Sequence, residues 1–192
     1  QQVSDPALMS ELEKLLPRDF RKRTGFSTKL INQEYVSSLQ ELYEKAEDAH
    51  SKLAALVESI AAATHGEPKV PSIKGKMRAK MKAQFKYRDA KTDGIAYYRL
   101  TDLVRATIQY SDLDSMYAGL DAICTQLGDD VKELNDRYQR PLDGGYCDIQ
   151  MVVRVDGHMC ELQLNTEPML RAKQTTGHRD FEVVRELKAA IT

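Results

Sequence analysis

The stretch DIQMVVRVDGHMCELQLN, Asp148 to Asn165, is the feature that most limits how this chain can fold. Two alternating runs flank Asp156-Gly157, a pair suited to the left-handed dihedrals of a type I′ turn. With those two residues as the loop, Val155 faces His158, Val153 faces Cys160, Val152 faces Glu161, Gln150 faces Gln163 and Asp148 faces Asn165. Ile149, Met151, Val153, Val155, Cys160, Leu162 and Leu164 then share one face, which reads as core. Asp148, Gln150, Glu161, Gln163 and Asn165 gather on the other. Slipping the register by one residue would bury the acids, so the pattern itself fixes the pairing.

The rest of the chain supplies what a hairpin needs around it. Residues 1–68 read as helical. Asp5-Pro6 opens a short amphipathic helix to about Leu16, Pro17 ends it, and Gly25 marks a break. From about Asn32 to Thr64, Tyr35, Leu39, Leu42, Ala46, Ala49, Leu53, Leu56 and Ile60 recur at helical spacing, so one long helix is expected to cover a sheet. Gly66-Glu67-Pro68 stops it. A second helix is expected over Pro71 to Tyr87, with an apolar stripe of Ile73, Met77, Met81 and Phe85. Beside that stripe, Lys74, Arg78 and Lys82 form a cationic one, whose charges repel unless an anion sits among them. YYRLTDLVRATIQY, Tyr97 to Tyr110, reads as strand, and Asp112 to Leu127 as helix up to Gly128-Asp129-Asp130. Thr166 can cap a last helix with Pro168 in its first turn, interrupted at Gly177-His178 and resumed by Phe181, Val184 and Leu187. The order predicts a mixed α+β fold, a small and largely antiparallel sheet flanked by helices. Residues 1–68 would pack as a helical segment on a core of residues 69–192, giving one compact domain.

Charge is balanced overall, with 28 basic against 29 acidic residues, so no global field favours nucleic acid or a membrane surface. No apolar run reaches the length of a membrane span and no secretory signal opens the chain, which starts at Gln1 like a piece of something longer. Cys124, Cys147 and Cys160 have no metal spacing and read as free thiols, two of them in core positions. The asymmetry is local. Lys69 to Arg88 holds eight Lys or Arg and no acid, which is either a solvated face or a phosphate-binding surface. There is no Walker loop, no GxGxxG and no Ser/His/Asp spacing, so phosphate would be held by side chains.

Several residues admit both a plain and a chemical reading. A lone strand glutamate is usually solvated, but Glu161 shares its face with amides and acids, which suits a hard cation such as Mg²⁺ and hydroxyl-bearing ligands. Asp102 and Arg105 are either a strand-entry acid and an edge cation, or a metal ligand and a phosphate clamp. Strict alternation sets them on opposite faces, so both can serve one site only if Asp102 precedes the pleated strand or a bulge intervenes. Tyr146, after Gly144-Gly145, is a turn aromatic or a platform for a flat ligand. Arg137 and Arg140 stand just upstream in a loop, and His178 reads as a cap or a surface residue.

Taken together, the basic helix, DLVRAT, GGYCDIQ, CELQLNTEPM and GHRDF resemble the synthetase domain of the RelA/SpoT family, over about Pro71 to Phe181. Those are pyrophosphokinases with a nucleotidyltransferase-like synthetase fold that make alarmones such as (p)ppGpp. The resemblance implies that Glu161 binds Mg²⁺ and helps deprotonate the attacking hydroxyl, with Gln163 beside it. It implies that Tyr146 stacks on the acceptor base, that Arg105 is the first-strand arginine, and that Lys74, Arg78 and Lys82 hold the ATP donor. The family's metal-binding aspartate stands five residues before that arginine, a place held here by Leu100. Asp102, three before, shares its strand face and is expected to substitute. Where the family has Gln-Ser-x-His this chain has Cys147-Asp148-Ile149-Gln150, and Asn165 replaces an arginine. These changes fall on the acceptor side, so an unusual acceptor is expected, an adenine nucleotide or a tRNA end as in toxin relatives. Arg137, Arg140, Asp148, Gln163, Asn165 and His178 would line that side. An interbacterial toxin acting in the bacterial cytoplasm, delivered by a type VI system and neutralised by an immunity protein, is the implied setting. No membrane partner is expected, and no stable nucleic-acid partner unless the acceptor is tRNA. The rival reading is a non-catalytic nucleotide or RNA binder working through the basic helix. It leaves Glu161, which repels phosphate without a metal, unexplained.

Overall fold

A computed structural model describes residues 31–89, 94–142 and 146–172 of the 192-residue chain. In order these form α1 (Leu39–Ala63), β1 (Glu67–Lys69), α2 (Lys76–Lys86), β2 (Arg88–Asp89), β3 (Gly94–Ile95), β4 (Arg105–Tyr110), α3 (Leu113–Leu127), β5 (Val131–Asp136), β6 (Ile149–Val155), β7 (His158–Thr166) and α4 (Glu167–Ala172). Five strands make one sheet in the order β1-β4-β7-β6-β5, and β2 pairs with β3 separately. Only β4–β7 is parallel in the large sheet. The fold is therefore mixed α+β, as expected.

The β6–β7 hairpin has the register read from the sequence, from Val155↔His158 through Val152↔Glu161 to Gln150↔Gln163. Asp156 and Gly157 both take positive φ (52° and 77°), as a type I′ turn requires. Ile149, Met151, Val153, Cys160, Leu162 and Leu164 are fully buried. They pack with Ala106, Ile108 and Tyr110 of β4 against Leu53, Val57 and Ile60 of α1 and Leu120 and Ile123 of α3. Both long helices thus lie on the apolar face. Gly119 of α3 sits against the Tyr110 ring, where any Cβ would overlap the phenol, so glycine sets how close α3 comes to the sheet. All three cysteines are buried, one more than expected, and none is in a disulfide.

Three expectations are corrected. The long N-terminal helix starts at Leu39, not near Asn32. Ser38 caps it by accepting from the Glu41 N–H (3.2 Å), while the Glu41 carboxylate accepts from the Ser37 N–H (3.0 Å). The second helix spans only Lys76–Lys86, because Gly75 (φ −57°, ψ 138°) is extended, so Lys74 lies before the helix. Its predicted apolar stripe points outward, with Met77, Met81 and Phe85 at 73%, 50% and 83% exposure. The inner face is Ala79 and Ala83, whose small side chains let the helix approach Val36, Leu42, Tyr43, Leu100 and Leu103. Finally, Tyr97 to Tyr110 is not one strand. Tyr97–Arg99 form a 3₁₀ turn, Leu100 and Leu103 pack with Val36, Leu42, Tyr43, Ala79 and Ala83, and the strand begins at Arg105.

Four strands go beyond the sequence reading: β1 and β5 in the large sheet, and the short β2–β3 pair. β1 crosses the junction at residues 68 and 69, so the N-terminal segment contributes a sheet edge as well as α1. Among the described residues no helix is long and apolar enough to cross a membrane.

Candidate active site

The sheet's second face gathers the polar strand residues, with Val152 an apolar exception. One row of paired residues crosses all five strands, Lys69, Thr107, Gln163, Gln150 and Asn135. The next row places Arg105 beside Glu161 and Glu161 beside Val152. Strand alternation makes this face automatically once the apolar residues are committed to the core.

At one end, three charged side chains meet. Asp102 precedes β4, which resolves the parity conflict, since it is free of strand alternation. Its Oδ2 accepts from Lys74 Nζ and pairs with Lys82 Nζ, both at 2.7 Å. Lys82 comes from α2. Lys74 comes from the extended segment before it, fixed by its N–H donating to the Leu103 carbonyl (3.0 Å) and its carbonyl accepting from the Tyr43 hydroxyl. Burial works to raise the Asp102 carboxyl, but the two ammonium groups outweigh it and hold the acid below its ordinary range. Glu161 is shifted the other way. Burial and then the charge of Asp102 push it up, against the pull of Lys82, Arg105 and Lys74. Gln163 Nε2 donates to Glu161 Oε1 (3.0 Å) and holds the carboxylate in place.

Two buried atoms here lack protein partners, Asp102 Oδ1 and Arg105 Nε. An acceptor and a donor left over at one end fit a ligand carrying both a cation and phosphate oxygens. No group of three or more His, Cys, Asp or Glu that could hold a metal exists among the described residues. Two acids with hard oxygen donors fit Mg²⁺, which is commonly held by one or two carboxylates together with substrate phosphates.

At the other end lies a hydrogen-bonded group. Asp148 is fully buried. Arg137 Nη1 donates to its Oδ1 (3.0 Å) and the Tyr146 hydroxyl to its Oδ2 (3.1 Å). Asn165 Nδ2 donates to the same hydroxyl (2.9 Å). Arg137 also reaches Gln150 Oε1 (3.2 Å), which accepts from Asn135 as well (3.0 Å).

Of the residues singled out in the sequence, Asp102, Glu161, Gln163, Lys74, Lys82 and Arg105 come together at the first end. Arg137, Tyr146, Asp148 and Asn165 come together at the second. Arg78 is exposed on α2 one turn before Lys82, and Arg140 is exposed past the end of β5. His178 lies outside the described residues. Sequence reasoning missed Asn135, whose place on the polar face was readable from the alternation of VKELND, and Tyr43, whose role no local pattern announces.

No protein-family model matches the chain, and no curated protein matches it in sequence. Solved structures do. Small alarmone synthetase 1 from Bacillus subtilis superposes with a TM-score of 0.59 at 14% identity, over 76% of this chain and 80% of that one. A GTP pyrophosphokinase family protein from Streptococcus pneumoniae gives 0.54 at 14% identity, over 81% and 88%. The type VI effector Tas1, solved in complex with its immunity protein, gives 0.50 at 21% identity, over 77% and 74%. The chain has the fold of the small alarmone synthetases.

Proposed function

We propose that this protein is a Mg²⁺-dependent pyrophosphokinase, which moves the β,γ-pyrophosphate of ATP to the ribose 3′-hydroxyl of a purine nucleotide. The observation that carries the reading is the charged end of the polar face, where Asp102, Lys74 and Lys82 stand against the Glu161–Gln163 pair. In the reaction the acceptor O3′ attacks the β-phosphorus, the bond from that phosphorus to the α-phosphate oxygen breaks, and AMP leaves. Such a transfer asks a protein for alignment and charge neutralisation. Asp102 and Glu161 would hold Mg²⁺, which supplies charge neutralisation at the phosphate oxygens. Lys74, Lys82 and Arg105 would hold the triphosphate, with Arg78 reaching in from α2. Glu161, whose proton affinity burial raises, is suited to take the hydroxyl proton. Tyr146 would stack the acceptor base.

A non-catalytic binder working through the basic α2 leaves the Asp102–Glu161 pair without purpose, because acids at a phosphate site repel it. Similarity of fold to Tas1 supports an effector role in the bacterial cytoplasm, countered by an immunity protein, and this part rests on analogy. The test is mass spectrometry of products after incubation with Mg²⁺, ATP and each of ADP, GDP and tRNA. A pyrophosphorylated acceptor that falls at least about 100-fold in Glu161→Gln is expected. Absence of any such product, with wild type and variant alike, would overturn the reading.

A further inference from the structure

Tyr146 stands before β6, and nothing in a strand ladder fixes a tyrosine there. Two buried side chains fix it instead. Asp148, fully buried, accepts from its hydroxyl (3.1 Å), and Asn165, 1% exposed, donates to it (2.9 Å). Each of these is held in turn. Asp148 Oδ1 accepts from Arg137 Nη1 (3.0 Å), and the Arg137 N–H donates to the Asp148 carbonyl (2.8 Å). Asn165 Oδ1 accepts from the Thr166 N–H (2.9 Å) and the Tyr138 hydroxyl (3.3 Å). The Tyr138 hydroxyl also meets Thr166 Oγ1 (3.1 Å). The phenol therefore gives its one proton inward and takes one inward, while the ring remains half-buried at the edge of the polar face.

We propose that Asp148 and Asn165 are positioning residues that lock the Tyr146 ring through its hydroxyl, so that the acceptor base is met by the ring face and by neither of these two side chains. The inference rests on the acceptor-side reading above and revises it, because it withdraws Asp148 and Asn165 from contact with the ligand. Its chemical consequence concerns base choice. Guanine offers N1–H and N2–H₂ donors that a carboxylate could read, and adenine has neither. Asp148 is fully buried and its oxygens face Arg137 and Tyr146, so this acid does not present itself to the base to make that distinction. An aromatic face accepts any base. The lock serves binding by removing rotamer freedom before the acceptor arrives, worth about two- to tenfold in affinity for one side chain.

The test is steady-state kinetics at saturating ATP and Mg²⁺, with ADP and GDP as acceptors, for wild type, Tyr146→Phe, Asn165→Ala and the double variant. Tyr146→Phe keeps the ring and loses only the lock. Its acceptor KM is expected to rise about two- to tenfold for both nucleotides, with kcat and the KM for ATP unchanged. Asn165→Ala should raise it similarly, and in the Tyr146→Phe background it should add less than twofold. Additive effects, a change confined to one base, no change in acceptor KM, or a wild-type protein that transfers to neither nucleotide would each overturn the proposal. Because Glu161→Gln tests transfer itself, loss of activity there with unaltered Tyr146 kinetics would sink this inference and leave the pyrophosphokinase reading standing.

Discussion

The two ends of the polar face each bury a carboxylate beside basic side chains, and they treat it differently. Asp148 has both oxygens occupied, one by Arg137 and one by Tyr146. Asp102 receives two lysines on one oxygen, while the other has no partner. Glu161 nearby is disfavoured as an anion by burial and by Asp102. A carboxylate with a protein donor on each oxygen belongs to the architecture. A half-used one, next to a second acid and an unpartnered arginine nitrogen, is completed by a ligand. Charge alone does not tell the two apart; the tally of partners does.

Deleting the three acids should therefore give three different stability changes. Asp148→Ala strands Arg137 and frees the Tyr146 hydroxyl inside the protein, and should cost about 3 kcal/mol in a urea titration, with the m-value unchanged. A loss under about 1 kcal/mol would mean that Arg137 finds water and the network is not structural. Asp102→Asn should cost less, about 1 kcal/mol, because the side chains of Lys74 and Lys82 keep 15% and 26% exposure and water can solvate the charges left behind. The Asp102 contribution is present at neutral pH, since its folded value lies below the ordinary 3.8, and it is lost as pH falls through that lowered value. A larger cost for Asp102→Asn than for Asp148→Ala would reverse the comparison.

The smallest effect should carry the opposite sign. Glu161 titrates above its ordinary 4.5 in the folded chain, so its ionised form is a burden on the unliganded protein. Below about pH 4.5 the acid is protonated folded or unfolded and the burden is absent. As pH rises through the raised folded value the burden grows to its full size. Glu161→Gln should therefore raise Tm by about 1–3 °C at pH 7 in the absence of Mg²⁺ and nucleotide, and the gain should vanish near pH 4. A lower Tm at pH 7 would show that Glu161 is satisfied by its neighbours and is not poised for a cation.

What the sequence disclosed follows from which forces are local. The hairpin register was legible because Asp156-Gly157 sets the turn and the core alternation admits one pairing. The polar face came with it, including Glu161 and Gln163. Asp102 was legible as an acid but its geometry was not, because the bend at Leu100 to Leu103 is dictated by packing against Val36, Tyr43 and Ala83, all distant in sequence. The outward stripe of Met77, Met81 and Phe85 misled for a related reason. Apolar spacing marks a face that can be buried, and here the close contact belongs to Ala79 and Ala83. The Arg137–Asp148 pair joins residues eleven apart in sequence, so no spacing rule announces it. β1 is three residues long with a proline in it, too short for a periodic signal.

The central claim is that the Asp102–Glu161 end is completed by Mg²⁺ and a triphosphate together. Calorimetric titration of ATP into the protein, with Mg²⁺ and then with EDTA, tests it most directly. Binding that weakens at least about 10-fold without Mg²⁺, and a metal dependence that disappears in Glu161→Gln, is the predicted result. ATP binding of equal strength with and without metal in wild type, or metal dependence untouched in Glu161→Gln, would contradict it.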